Sequence, residues 1–549
     1  MYSGNLLLFL LGTTISLLQT ATALSFPQIS LGYATHAPTF INTTESGTKV
    51  GLYNNIRFAQ PPTGNLRFRK PVTPPLPEGG IQDGRDRLST SDCVSSVNAQ
   101  APFPDINGTA WGQEDCLFLN VWVPEGVREG DNVPVLHWLH GSAWAFGSKD
   151  MFGDAFGLMD LIEEKEDKFI FVASNYRLVF RPILSERNVA EFDDRMGVYG
   201  WVSSSDEDMD ANVGLHDSVA ALEWTKKYIS RFGGDPDSIT AMGQSAGAAM
   251  ISMMMVANGG NGTLPFQKVF LSSPGLMPRR NVTGRRQEVY DQVLKAANCA
   301  TLACLREASP AALAATNKKV LDLPGGSGGG SLGPGIGIGP LPDGKHLSDA
   351  VPILLQQGHF NKGVKAVVSG NMAAEGTGIT PDVSTPEDFA RLIRLLVPGA
   401  NNGTIQRIRD MYAYPDSQLQ RVADAWTTDV VFACNARAVA KAYGNKTQRY
   451  VFSVPPARHG QDLLSTDYFY REDTKLPVTN VSLAREFQAE ILEFSTGKDR
   501  NDTDWPLYIP GTKMVNVTAA GIEQSVDLWA RQPNCDIILK TITDKRNGA

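Results

Sequence analysis

Residues 240 to 256 read Thr-Ala-Met-Gly243-Gln244-Ser245-Ala246-Gly247, followed by Ala-Ala-Met-Ile-Ser-Met-Met-Met-Val256. An apolar strand ending in Gly-x-Ser-x-Gly, with a helix-forming run from Ala248 to Val256 directly behind it, is the context a nucleophile elbow requires. In so tight a turn, side chains at Gly243 and Gly247 would collide with neighbouring backbone. Ser245 is lifted clear of the sheet, with the N-terminus of the next helix aimed at it. The pentapeptide alone recurs by chance in a long glycine-rich chain, where it marks an ordinary strand-turn-helix connection, so its surroundings carry the weight.

Working outward, apolar runs of strand length alternate with helical patterns: Leu117 to Val123, Val133 to Leu139, Phe169 to Asn175, Ser238 to Met242, Lys268 to Leu271 and Lys365 to Ser369. Amphipathic stretches such as Asp217 to Arg231 lie between them. A later strand, Arg449 to Val454, precedes a long helical pattern around Ser482 to Thr496. This alternation predicts an α/β protein with a large central, mostly parallel sheet and helices on both faces. Pro324 to Pro340 is too rich in glycine for a helix or central strand and reads as a flexible surface loop within one domain.

The chain has 549 residues, 42% apolar content and a formal net charge of -8. That is enough to bury a large core. With no basic stripe to release counterions, nucleic acid and anionic membrane surfaces are excluded as expected partners. The apolar run Leu6 to Leu18, followed by Ala21-Thr22-Ala23, predicts a secretory signal over residues 1–23 and a mature chain of 24–549 forming one domain. No stable membrane anchor is expected. Sequons begin at Asn42, Asn107, Asn261, Asn281, Asn402, Asn445, Asn480, Asn501 and Asn516, which fits a secreted, glycosylated surface. The six cysteines admit several pairings; short loops favour Cys93 with Cys116 and Cys299 with Cys304, leaving Cys434 with Cys535.

A serine nucleophile needs a base to take its proton and a carboxylate to hold that base in the right tautomer. Behind an elbow of this type the acid comes next in the chain and the histidine last. Three histidines follow Ser245: His346, His359 and His459. His346 and His359 read as part of a helical, solvent-facing stretch. His459 follows a strand and a Pro-Pro break, at the strand end where open sheets place their sites. Glu375 follows another candidate strand in the same way. Oxyanion donors are expected from the amides of Ser142 and Ala143, after the strand Val133 to Leu139, and of Ala246, next to the nucleophile.

These motifs lie among further blocks: Glu114-Asp115-Cys116-Leu117-Phe118-Leu119-Asn120-Val121, Asn175-Tyr176-Arg177-Leu178, Asn212-Val213-Gly214-Leu215-His216-Asp217, Phe232-Gly233-Gly234-Asp235-Pro236 and Trp505-Pro506-Leu507-Tyr508. Together they resemble the type-B carboxylesterase/lipase family, the cholinesterase-like branch of the α/β-hydrolases, over nearly the whole mature chain. The resemblance implies the α/β-hydrolase fold, the triad Ser245, Glu375 and His459, the same three disulfides, and structural ion pairs Arg67 with Glu114 and Arg177 with Asp217. It implies a secreted carboxylesterase of fungal type, acting by acyl transfer on small-molecule esters without metal or organic cofactor. A monomer or dimer is expected. An extracellular triacylglycerol lipase is the alternative, and a non-catalytic adhesion module a remote one, disfavoured by retention of all three triad residues.

Two departures stand out. The family usually has two more glycines after the His-Gly of the oxyanion loop, where this chain has Ser142 and Ala143. Val179 to Met196, charged and without period, interrupts the pattern and reads either as a surface insertion or as retained intron sequence. The loop from Val94 to Asp115 shows no long amphipathic helix, so an interfacial lid is not expected and soluble, short or medium acyl esters are favoured.

Overall fold

The computed structural model describes residues 26–96, 110–142, 144, 146–151, 154–163, 167–178, 198–277, 280, 284–313, 316, 339–463, 471, 480–497, 505–511 and 513–547. The expected signal segment, the Pro324 to Pro340 loop, the Val179 to Met196 stretch, most of the first disulfide loop and the sequons at Asn107, Asn281 and Asn501 lie outside them, apart from Gly339 and Pro340.

Eleven strands form the central sheet: β1 (Phe40–Thr43), β2 (Lys49–Arg57), β3 (Phe118–Pro124), β4 (Val133–Leu139), β5 (Ile170–Ser174), β6 (Gly234–Gln244), β7 (Lys268–Ser272), β8 (Ala366–Met372), β9 (Thr447–Phe452), β10 (Met514–Thr518) and β11 (Gly521–Ser525). Their order is β11-β10-β9-β8-β7-β6-β4-β5-β3-β2-β1. From β5 to β10 every neighbouring pair is parallel; the strands beyond, at both edges, pair antiparallel.

Burial on both faces explains why the central strands are apolar without alternation. Val135, Ala241, Val269 and Val367 pack into one core, which includes the helix Ala246–Val256. Their chain neighbours Leu136, Met242, Phe270 and Val368 pack into another, on the side of the helix Val481–Thr496. Adjacent residues point to opposite faces of a pleated strand, so each pair serves both layers. The parallel strands of the middle align their C-terminal ends, and β4, β6, β7, β8 and β9 all deliver loops to one rim.

All three disulfides form as expected: Cys93–Cys116, Cys299–Cys304 and Cys434–Cys535. Arg177 and Asp217 make a buried pair at 2.7 Å, and Arg67 holds Glu114 through two bonds of 3.0 and 2.8 Å. Asn42, Asn261, Asn402, Asn445 and Asn480 are exposed, whereas Asn516 is half-buried on β10.

Candidate active site

Ser245 sits between β6 and the helix Ala246–Val256 with φ 55 and ψ -120. A non-glycine residue in this region is strained and persists only where its surroundings over-determine it. The flanking glycines supply those surroundings. A β-carbon at Gly243 would lie 2.7 Å from the Gly247 carbonyl carbon and 2.8 Å from the Ala248 nitrogen. One at Gly247 would overlap the Leu139 carbonyl oxygen at the end of β4. The Ser245 amide donates to the Ser272 carbonyl at 2.9 Å, and the Gly275 amide donates to the Ser245 carbonyl at 3.1 Å, so the loop after β7 braces the elbow.

The three residues selected from sequence meet here. His459 Nε2 lies 2.8 Å from Ser245 Oγ, and His459 Nδ1 lies 2.6 Å from Glu375 Oε2. Glu375 is fully buried, and its second oxygen accepts from the Met372 amide at 2.7 Å. A carboxylate so held fixes the imidazole tautomer that leaves Nε2 free to accept the serine proton. The other two downstream histidines are elsewhere. His346 lies in a bend, half-buried with its ring 4.7 Å from that of His216, and His359 is exposed just beyond the helix Val351–Gln356. The helical reading is thus corrected for both, because the Gly344 and Gly358 turns, both at positive φ, break the pattern beside them; the solvent-facing reading holds for His359 and not for half-buried His346.

The loop after β4 approaches the elbow as expected. Tyr176 donates its hydroxyl to the carbonyls of His140 and Gly141, both at 3.0 Å, and its ring stacks on His140 at 4.4 Å. That gives the Asn-Tyr-Arg-Leu block a physical purpose in bracing the loop after β4. Ser142 adopts φ 82, a conformation that favours glycine, so the loop keeps a glycine geometry at a position where this chain carries a serine. Ala143 lies outside the described residues. Ala246 is the first helical residue, so its N–H has no intrahelical acceptor and is available at the positive end of the helix dipole.

Two neighbours escaped sequence reasoning. Phe432, carried on a π-helical turn over Thr428–Ala433, packs its ring 4.3 Å from that of His459. A β-carbon at Gly275 would sit 3.2 Å from Phe432 and 3.5 Å from Ser245 Oγ, so this pair closes one side of the serine. Asp462, three residues after His459 and fully buried, accepts from the Ser272 hydroxyl, and among the described residues its other oxygen has no partner. Burial pushes the Asp462 carboxyl up to about 7, the nearby Glu375 carboxylate pushes it the same way, and the Ser272 hydroxyl pulls it down. An acidic residue on the His459 loop was the available signal, but Ser272 and Tyr450, which enclose it, come from separate strands.

Asp462 gives a measurable pH dependence. In the unfolded chain an aspartate ionises near about 3.9. Stability present in full below that value is lost as pH rises toward about 7, because the unfolded state releases the proton first. Asp462→Asn removes the loss, so thermal unfolding should show the variant gaining on the parent from pH 5 to pH 8. A gap independent of pH would contradict a neutral, buried Asp462.

A strained serine at a strand-to-helix elbow, bonded to a histidine that is bonded to a buried carboxylate on the C-terminal rim of a mostly parallel sheet, defines the α/β-hydrolase class. The sequence pattern of the carboxylesterase family matches residues 40–188 and 189–508, and the chain belongs to that family of carboxylic ester hydrolases. The two matched segments meet inside the Val179 to Met196 stretch. The carboxylesterase patB of Aspergillus clavatus is 30% identical over 537 residues, covering 88% of this chain and 90% of the relative. A secreted lipase of Arthroderma benhamiae is 27% identical and covers 76% of this chain and 78% of its own. Among solved structures, EstA of Aspergillus niger shares the fold with a TM-score of 0.77 at 21% identity, over 96% of this chain and 99% of that one. Among the described residues, no helix is long and apolar enough to cross a membrane, and no cluster of ligands suits a metal ion.

Proposed function

We propose that this chain is a secreted serine carboxylesterase of soluble esters, working through an acyl-enzyme at Ser245. The observation that carries the reading is the continuous path from Ser245 through His459 to buried Glu375, at 2.8 and 2.6 Å. His459 takes the hydroxyl proton through Nε2 as Ser245 Oγ attacks the ester carbonyl. The resulting oxyanion is held by backbone amides, Ala246 with the Ser142 and Ala143 loop, each donor contributing about 3 kcal/mol. His459 then gives its proton to the leaving alcohol. Water repeats the sequence on the acyl-enzyme, with His459 as base, and releases the acid. Glu375 stays ionised throughout, orienting the imidazole and stabilising its cation. No step calls for a metal or organic cofactor.

Phe432 and Gly275 narrow the space beside Ser245, which supports short or medium substrates over bulky ones. Export is supported by the three disulfides, the exposed sequons and a relative named a secreted lipase. On this reading residues 24–549 form a single mature domain with glycans at accessible sequons, as a monomer or dimer. Hydrolysis of p-nitrophenyl acetate, butyrate, octanoate and palmitate tests the substrate class, with emulsified triglyceride in parallel. Activity should fall with chain length. Preference for palmitate and the emulsion would move the function to lipase.

A further inference from the structure

A second concave site lies away from Ser245. The helices Val351–Gln356, Cys434–Tyr443 and Asn534–Thr543 enclose a cleft of about 390 Å³, within the size range of small-molecule sites. Leu355, Val430, Ile538 and Ile542 give it an apolar floor, each buried. The Cys434–Cys535 disulfide, also in its wall, ties two of the three helices together and holds the cleft in place without a ligand. None of Ser245, Glu375 and His459 lines it.

Its rim carries Lys362, Arg437 and Lys441 against the single carboxylate of Asp536. Arg437 is engaged with Asp536 at 3.2 Å. Lys362 rests over the Phe360 ring, 3.1 Å from its centroid, and among the described residues neither it nor Lys441 is in an ion pair. The local sign is therefore positive on a chain whose formal net charge is -8. An apolar floor beneath ammonium groups matches a molecule with an alkyl chain and one anionic head, since the chain is withdrawn from water while the head keeps a charged partner. Hydrolysis of an alkyl carboxylic ester releases such a molecule.

We propose that this cleft is a binding site for the free alkyl carboxylate released by hydrolysis, separate from the site of reaction. Lys362 and Lys441 receive the carboxylate, and the floor around Leu355 and Ile538 receives the chain. The helical segment that reaches the cleft through Val430 also carries Phe432 against His459, so the two sites share one element.

Calorimetric titration of the full-length protein with sodium decanoate tests the assignment. The double variant Lys362→Glu with Lys441→Glu should weaken decanoate at least ten-fold and leave p-nitrophenyl acetate hydrolysis unchanged, since both side chains are exposed and line a cleft that includes none of Ser245, Glu375 and His459. Decan-1-ol should bind the parent at least ten-fold less tightly than decanoate. Unchanged decanoate affinity in the double variant would place the ligand elsewhere and overturn the proposal. Equal binding of the alcohol would show a merely apolar cleft and overturn it too. Should the double variant fail to fold, Lys441→Gln alone must show weakened decanoate binding.

Discussion

Ser245→Ala is expected to lower kcat on p-nitrophenyl butyrate by about a million-fold, the scale on which triad nucleophiles are lost elsewhere, with little change in melting temperature. Only Oγ is removed. Alanine and serine bear the same strain at φ 55, and the backbone bonds that brace the elbow, from the Ser245 amide to Ser272 and from the Gly275 amide to Ser245, are untouched. His459 keeps its bond to Glu375 and loses only its partner at Nε2. On the proposed mechanism the residual rate reports what the backbone amides around the oxyanion achieve with water as nucleophile. A loss below about a hundred-fold would mean that another residue attacks the ester.

Gly247→Ala is expected to act through the backbone instead. The new methyl would overlap the Leu139 carbonyl oxygen and lie 2.8 Å from that of His140. Neither is the end of a flexible side chain, so the elbow or the end of β4 must move. Such overpacking costs about 1 to 3 kcal/mol or more, and a displacement near 1 Å between reacting groups costs about a hundred-fold in rate. Because the Ala246 amide and the loop after β4 lie on either side of the clash, the nucleophile and the proposed oxyanion donors should separate together. The variant should therefore show a lower melting temperature and a kcat reduced by at least about a hundred-fold. Full activity would mean the contact relaxes without moving the elbow, and the steric account of the glycines would fail.

The sheet was legible because its middle strands are buried on both faces and read as unbroken apolar runs: Val133 to Leu139 coincides with β4, and Lys268 to Leu271 falls one residue short of β7. Strand β6 runs from Gly234, well ahead of the expected Ser238, because Asp235 to Ser238 carry no apolar signal. The edge strands β1 and β11 were invisible for a related reason: Phe40–Thr43 is exposed along its length and Gly521–Ser525 is polar and at most half-buried. The convergence of Ser245, Glu375 and His459 was legible because topology gathers residues from strand C-termini on one rim, a rule that needs only strand ends and chain order. Asp462 and Phe432 were not, since the enclosure of one and the π-helical turn that aims the other depend on segments far apart in sequence. The same holds for Arg449, whose fully buried pair with Asp527 at 2.8 Å joins β9 to a segment near the C-terminus.

The most direct test of the central claim is to treat the folded protein with a p-nitrophenyl alkylphosphonate and measure intact mass, followed by peptide mapping. The account predicts one adduct per chain, located on Ser245, complete loss of esterase activity, and no adduct on Ser245→Ala. Folded, esterase-active protein that takes up no phosphonate, or that is inactivated through a different residue, would contradict it.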